Sequence, residues 1–314
     1  MSRVLLAAGL AVVVSTAAYA ATLPVKVLNA QQAAQLGAYT QVPLSGANFS
    51  TSALISVQSK AKTLTDVKRN GPAVSAAYAG VSAFPISPPP TPVTSAAPPS
   101  SEVFNFKLAG DSAQGWATTT PQGMPFLFTQ AYGQSVAAGT ASWRAQVTVT
   151  AQSPNLYVQF MLPAAQVTGV TEENGPSNWQ SRLRADLQLN GHPVWSSEAS
   201  RISLLNGQAS SNDNCFEHDE KAQYLSTFGQ GLGFTPAANV NSTARIVTLW
   251  LGTFPAGQTV DVAFIVRTDA QVMSPCCPHD ANNKPEQFCT RATAGVTWDT
   301  TQSPVKFWIG PNAP

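Results

Sequence analysis

The stretch Ser181-Arg182-Leu183-Arg184-Ala185-Asp186-Leu187-Gln188-Leu189-Asn190-Gly191 carries an apolar residue at every second position from Leu183 to Leu189. Arg182, Arg184, Asp186 and Gln188 fill the positions between. A period of two sends successive side chains to opposite faces of an extended chain, so this is a strand with one face buried. Asn190 and Gly191 both tolerate positive φ, which a two-residue hairpin turn requires. The strand is therefore expected to turn back into a short strand around Val194-Trp195.

The same period extends outward in both directions. Upstream, Trp143, Ala145, Val147 and Val149 alternate with Arg144, Gln146, Thr148 and Thr150. Leu156, Val158, Phe160 and Leu162 follow a Ser153-Pro154-Asn155 turn, and the two segments are expected to pair as a hairpin. Downstream, Val247-Thr248-Leu249-Trp250-Leu251 is apolar on both faces and is expected to be central in a sheet. Pro255-Ala256-Gly257-Gln258 turns the chain into Val260, Val262, Phe264 and Val266. Val296-Thr297-Trp298 and Val305-Lys306-Phe307-Trp308-Ile309 close the series. Some ten short strands with turn signals predict an all-β, antiparallel, jelly-roll-like sandwich, with a closed barrel as the rival. The one helix-like piece of this body is Asp219 to Ser226.

Ahead of the body the chain changes character. Met1 to Ala20 reads as a signal peptide: Arg3, an apolar run from Val4 to Val14, then Ala18-Tyr19-Ala20 for cleavage. That run is too short to span a bilayer, which takes about twenty residues. Residues 21–84 are rich in Ala, Ser, Thr and Val and form either a stalk or a small unit. Val25 to Leu28 and Ala53 to Val57 suit strands, and Ala30 to Leu36 suits two turns of helix. Residues 85–100 hold seven prolines between Pro85 and Pro99 and read as an extended spacer. Residues 101–314 form the sandwich domain.

Charged residues make up 11% of the chain, against about 25% in an ordinary soluble protein. Residues 101–314 carry eleven basic and fifteen acidic side chains. A weakly acidic body lacks the clustered cations that nucleic acid demands. No later segment is apolar and long enough to span a membrane, so no span is expected after signal cleavage.

Cys215, Cys276, Cys277 and Cys289 form an even set in an exported chain, which predicts disulfides. A bridge between adjacent Cys276 and Cys277 is strained. One of that pair is expected to join Cys289 and the other Cys215, stapling the 205–225 loop to the 270–292 loop. The alternatives are a zinc site from Cys215, His218, Cys276 and His279, or calcium on Glu217, Asp219, Glu220 and Asp280. Oxidation removes thiolates from zinc, and no Asp-rich calcium loop is present, so no cofactor is expected.

Catalytic sets are sparse. There is no Gly-x-Ser-x-Gly elbow. His192 belongs to the 190–192 turn. His218 and His279, beside acidic residues, offer an acid–base pair without an identified nucleophile. Glu172, Glu173, Glu198, Asp186 and Asp261 are carboxylates available to a glycosidase, although strand-face positions such as Asp186 and Asp261 suit solvent. Gly229, Gly231 and Gly233 lack the lysine and helix of a phosphate loop. Of seven tryptophans, Trp143, Trp250 and Trp308 fall in strands and suit a core. Trp116 and Trp179 are flanked by Gly, Ser and Asn, so they are expected in loops, exposed as stacking platforms for sugar. The functional expectation is an exported, non-catalytic protein binding carbohydrate or another cell-surface component. The alternatives are a structural or assembly protein of the cell surface and an extracytoplasmic hydrolase using His218 and His279.

Overall fold

The computed structural model describes residues 25–59, 62–69, 73–80, 111–150, 154–170, 177–205, 237–241, 244–273, 291–297 and 303–314. The signal peptide, the Pro-rich linker, all four cysteines, His218, His279 and the acidic calcium candidates lie outside these residues.

The fold is all-β with antiparallel sheets. Its strands are β1 (Lys26–Val27), β2 (Thr40–Val42), β3 (Phe49–Ser59), β4 (Lys62–Arg69), β5 (Ala73–Gly80), β6 (Ser112–Thr119), β7 (Pro125–Tyr132) and β8 (Ser135–Thr148). They continue as β9 (Asn155–Leu162), β10 (Ala164–Val170), β11 (Ser177–Leu189), β12 (His192–Leu205), β13 (Ala237–Asn241), β14 (Arg245–Thr253), β15 (Thr259–Val272), β16 (Arg291–Thr297) and β17 (Lys306–Gly310). A front sheet runs β12-β11-β15-β8-β3-β4. Two back sheets face it, an upper one (β1-β14-β9-β17-β2) and a lower one (β13-β10-β16-β7-β6-β5). Only Pro163 separates β9 of the upper back sheet from β10 of the lower. The arrangement is sandwich-like, one long sheet covered by two shorter ones.

Register explains the core. On the inner face of the front sheet, Thr51, Trp143, Phe264, Leu187 and Trp195 stand in one row across five strands. The upper back sheet meets this row with large rings. Phe160 of β9 lies 4.5 Å from Phe264 and 5.6 Å from Trp195, centroid to centroid, and Phe307 of β17 packs edge-on to Trp143 at 5.9 Å. Two rows further along, the same strands present Ile55, Gly139, Thr268 and Leu183. Here the lower back sheet comes within 8 Å, Cα to Cα, closer than the ~10 Å of ordinary stacked sheets. Hydrogen bonds cross between the layers: Thr293 N donates to Ser181 Oγ at 3.0 Å, and Thr119 Oγ1 to the Ser52 carbonyl at 3.1 Å. A Cβ on Gly115 of β6 would sit 2.9 Å from Ile55 Cγ2 of β3, and one on Gly139 of β8 would sit 3.3 Å from Leu127 Cδ2 of β7, so glycines let the layers close.

The described residues between 25 and 80 supply β1 to β5, which belong to the same three sheets as the later strands rather than standing apart as a stalk. Ala30–Ala34 is a short helix, α1, continued by a 3-10 turn at Gln35–Ala38. Asn29 starts it: its Oδ1 accepts from Gln32 N at 2.9 Å, and Gln32 Oε1 accepts from Asn29 N at 3.1 Å. This segment sets Leu28 and Leu36 against Tyr157 and Trp308 on the outer face of the upper back sheet. Burial pushes the Tyr157 hydroxyl up to about 12, helped by neighbouring Tyr39, and that hydroxyl donates to the Asn312 carbonyl.

Two expectations about pairing change. The 143–149 and 156–162 segments are not a hairpin: β8 lies in the front sheet and β9 in the upper back sheet. Alternation fixes which face is buried, but two such faces can be buried against each other across a core as well as side by side. The 247–251 segment, expected to be central, lies next to the edge, since its outer neighbour β1 pairs through two residues only. Its second face is apolar because the N-terminal segment packs over it, with Trp250 beside Leu28 and Leu36. The Asn190-Gly191 turn forms as expected, with φ of 48° and 82°.

Candidate functional site

Three loops meet where the front sheet, the upper back sheet and the lower back sheet come together. The first, 43–49, is tied by one side chain: Asn48 Oδ1 accepts from Ser45 N at 2.8 Å, and Asn48 Nδ2 donates to the Pro43 carbonyl at 3.1 Å. Local side-chain bonding of this kind gives asparagine its place in turns. The second loop is the β6–β7 turn. Gly123 there has φ of +86°, and Thr120 Oγ1 accepts from Met124 N at 3.1 Å. The third enters β17 and is held to the second by Val305 N donating to the Gln122 carbonyl at 3.1 Å.

Between them is a cleft of about 570 Å³, within the roughly 300–1,000 Å³ of ligand pockets. Buried Thr51 and Val305 form its floor, and half-buried Leu44 and Phe49 its apolar flank. Ser45, Gly46, Ser50, Pro121, Gln122 and Pro304 are exposed at its rim. Phe49 is backed by Trp143, stacked at 6.1 Å with 29° between the planes. Among the described lining residues none is ionisable. The wall offers one aromatic ring, two prolines, three hydroxyls and a carboxamide. That chemistry can hold a neutral ligand with an apolar face and hydroxyl groups.

The residues singled out in the sequence fall elsewhere. Trp116 and Trp179 sit on β6 and β11 and are 1% and 3% exposed. A buried indole offers no face to a sugar, so the expectation of exposed loop platforms is corrected. Gly115, which suggested a loop, makes room in a sheet, and Gly169 does the same. A Cβ on Gly169 would lie 2.1 Å from the Trp179 ring, and one on Gly115 would lie 2.9 Å from Ile55. Trp143 is buried as expected; Trp308 is 9% exposed and Trp250 half-buried. His192 is exposed at the hairpin turn. Asp186, expected in solvent, is buried at 2% exposure beside Glu198 at 6%. Both are bridged by Arg184, through Asp186 Oδ1 at 2.9 Å and Glu198 Oε2 at 3.6 Å. Asp261 pairs with exposed Arg144. Cys215, Cys276, Cys277, Cys289, His218 and His279 lie outside the described residues.

Among the described residues no group of three or more His, Cys, Asp or Glu is placed to hold a metal ion. Among the same residues no helix is long and apolar enough to cross a membrane. Comparison of the chain with family models finds no match, and comparison with curated proteins finds none.

Proposed function

We propose that this is an exported, non-catalytic binding protein that holds a neutral carbohydrate of the cell surface in the Phe49 cleft. The observation that carries the reading is the cleft wall, where a ring and two prolines stand beside Ser45, Ser50, Thr51 and Gln122 with no ionisable group among the described lining residues. Aromatic and proline faces suit the C–H faces of a sugar ring, while hydroxyls and the amide suit its OH groups. The tied loops favour a preformed site, which lowers the ordering cost of binding.

The scaffold reading is a jelly roll. Strand order β12-β11-β15-β8 in front of β14-β9-β17 supports it, since consecutive strands from β8 to β17 repeatedly cross between layers instead of pairing in place. The disulfide staples proposed for Cys215, Cys276, Cys277 and Cys289 would restrain loops of this scaffold. The hydrolase alternative depends on His218 and His279.

The test is a glycan array followed by titration calorimetry on the positive glycans. Gln122→Ala, a rim change that leaves the fold alone, is expected to weaken binding several-fold, and Phe49→Ala to abolish it. Trp179→Phe is expected to leave it unchanged. Absence of any neutral glycan ligand, or binding indifferent to both cleft substitutions, overturns the reading.

A further inference from the structure

The outer face of the front sheet carries a second concavity, remote in chemistry from the cleft. It is a basin of about 320 Å³ on β11 and β15, lined by Arg182, Arg184, Arg267, Asp186 and Asp269 with Gln188 and Pro193 at its margin. Register builds it: Arg184 stands opposite Arg267, and Arg182 opposite Asp269. The β11–β12 hairpin brings Glu198 opposite Arg184.

The carboxylates and guanidinium groups here are used unequally. Glu198 Oε2 accepts from Arg182 Nη2 at 2.7 Å, Asp186 Oδ1 from Arg184 Nε at 2.9 Å, and Asp186 Oδ2 from Arg267 Nη1 at 2.6 Å. Two buried carboxylates thus fix three arginines while engaging one nitrogen of each in a hydrogen bond. An arginine has five N–H donors in a rigid fork, so among the described residues most of the donor capacity of the trio is left over. The three side chains are 33%, 36% and 41% exposed, open to an incoming group. Arg182 Nε is buried without a hydrogen-bond partner among the described residues. Asp269 has no ion pair there either. With Asp186 and Glu198 committed to holding the arginines, Asp269 decides whether the basin is neutral or carries a single positive charge.

We propose that this basin binds the carboxylate of an acidic sugar, taken up by the Nε–Nη2 edge of Arg267 with Arg182 Nη1 beside it, and that Asp269 gates its entry. Planar bidentate pairing with carboxylate is what a pre-oriented arginine does best. The choice of a sugar as the carrier rests on the carbohydrate reading above; the carboxylate preference rests on the arginines alone. The groups facing Asp269 among the described residues are Arg182, Arg184 and Asp186 of β11, Glu198 of β12 and Arg267 of β15. Burial and, more weakly, Glu198 raise the Asp269 carboxyl above the usual aspartate range, against the lowering by Arg182 and Arg267. Protonated, it repels no ligand carboxylate and can donate to it. Ionised, it competes for the same arginines. Binding therefore strengthens as pH falls into the raised range of Asp269.

The experiment is titration of the full exported chain with glucuronate, glucose and acetate, followed by calorimetry and by the arginine Nε–H resonances. Glucuronate and acetate are expected to shift those resonances and glucose to leave them in place. Affinity for glucuronate should rise as pH is lowered from neutrality towards the ordinary aspartate range, since the Asp269 carboxyl is held above that range. Arg267→Gln should weaken it by about tenfold or more. Asp269→Asn, which keeps every cation and the side-chain volume, should bind more tightly at neutral pH and lose the pH dependence. Acetate binding without glucuronate binding would keep the carboxylate site and overturn the acidic sugar as its ligand. No arginine shift with either anion, or unchanged affinity in Arg267→Gln, overturns the site itself, and neither outcome bears on the Phe49 cleft.

Discussion

One face of the front sheet is packed in two ways by the same strands. Where β8 offers Trp143 and β15 offers Phe264, the opposing sheet supplies Phe160 and Phe307, and the gap is filled by rings. Where β8 offers Gly139 and Ala137 and β15 offers Thr268 and Ala270, the opposing sheet comes close enough for hydrogen bonds between layers. Alternation with period two sets the buried face in both halves. Thickness is set separately, row by row, by the size of the residues that the register aligns. A thick half depends on volume it already contains, and a thin half on volume it lacks, so each should fail under the opposite substitution.

The largest effect is expected from emptying the thick half. Trp143 touches Phe49, Phe160, Phe264 and Phe307, so no single neighbour can collapse into the space of its ring. Trp143→Ala should cost about 3–5 kcal/mol, read as a fall in the urea midpoint with little change in slope. A cost near that of a surface substitution would mean that the rings do not form one packed unit.

Filling the thin half should cost less. Gly139→Val places methyl groups where Cβ alone already meets Ile55 Cδ1 and Thr268 Oγ1 at 2.9 Å. The expected loss is about 1–3 kcal/mol, and Ile55→Ala in the same chain should recover part of it. Additive costs in that double variant would show that the two residues do not share a gap, and the distinction between halves would weaken.

This division also explains what the sequence makes legible. Leu183 to Leu189 announces a buried strand, and Asn190-Gly191 announces its turn, because both signals are local. Gly115, Gly139 and Gly169 carry a signal that is not local. Small residues mark a loop when nothing faces them and a close sheet contact when Ile55 or Trp179 does, and only the fold says which. Trp116 reads as a loop residue for that reason, beside Gly115, and Trp179 does so through Asn178 and Ser177. The change of layer between β8 and β9 is hidden likewise, since partner choice is not written in alternation. The cleft could not be found by spacing, because Phe49, Gln122 and Val305 come from loops far apart in the chain. The arginine basin was closer to hand: Arg182 and Arg184 alternate on one face, and the turn at 190–191 folds Glu198 back towards them.

The outer surface of the front sheet repeats the contrast in electrostatic form, and the smallest predicted effect lies there. Behind the ring-filled half, Arg144 pairs with Asp261 through two bonds of 2.5 and 2.6 Å, yet the two side chains are 61% and 21% exposed. Hydrogen bonding and charge from Asp261 hold the Arg144 guanidinium above its ordinary value. Between the two rows, with Asp186 opposite Ile265 and Glu198 opposite Arg184, the two carboxylates keep 3% and 8% of their side chains in solvent. Water screens the first pair and compensates its loss, so Arg144→Ala should change stability by about 0.2–1 kcal/mol, and by less at high salt. The good bidentate geometry argues for the upper part of that range, the exposure for the lower. Thermal melts of the variant at low and high salt decide between them. A salt-independent loss of several kcal/mol would mean that the pair is shielded from water as Asp186 is, and the contrast between the two carboxylate settings of this surface would then fail.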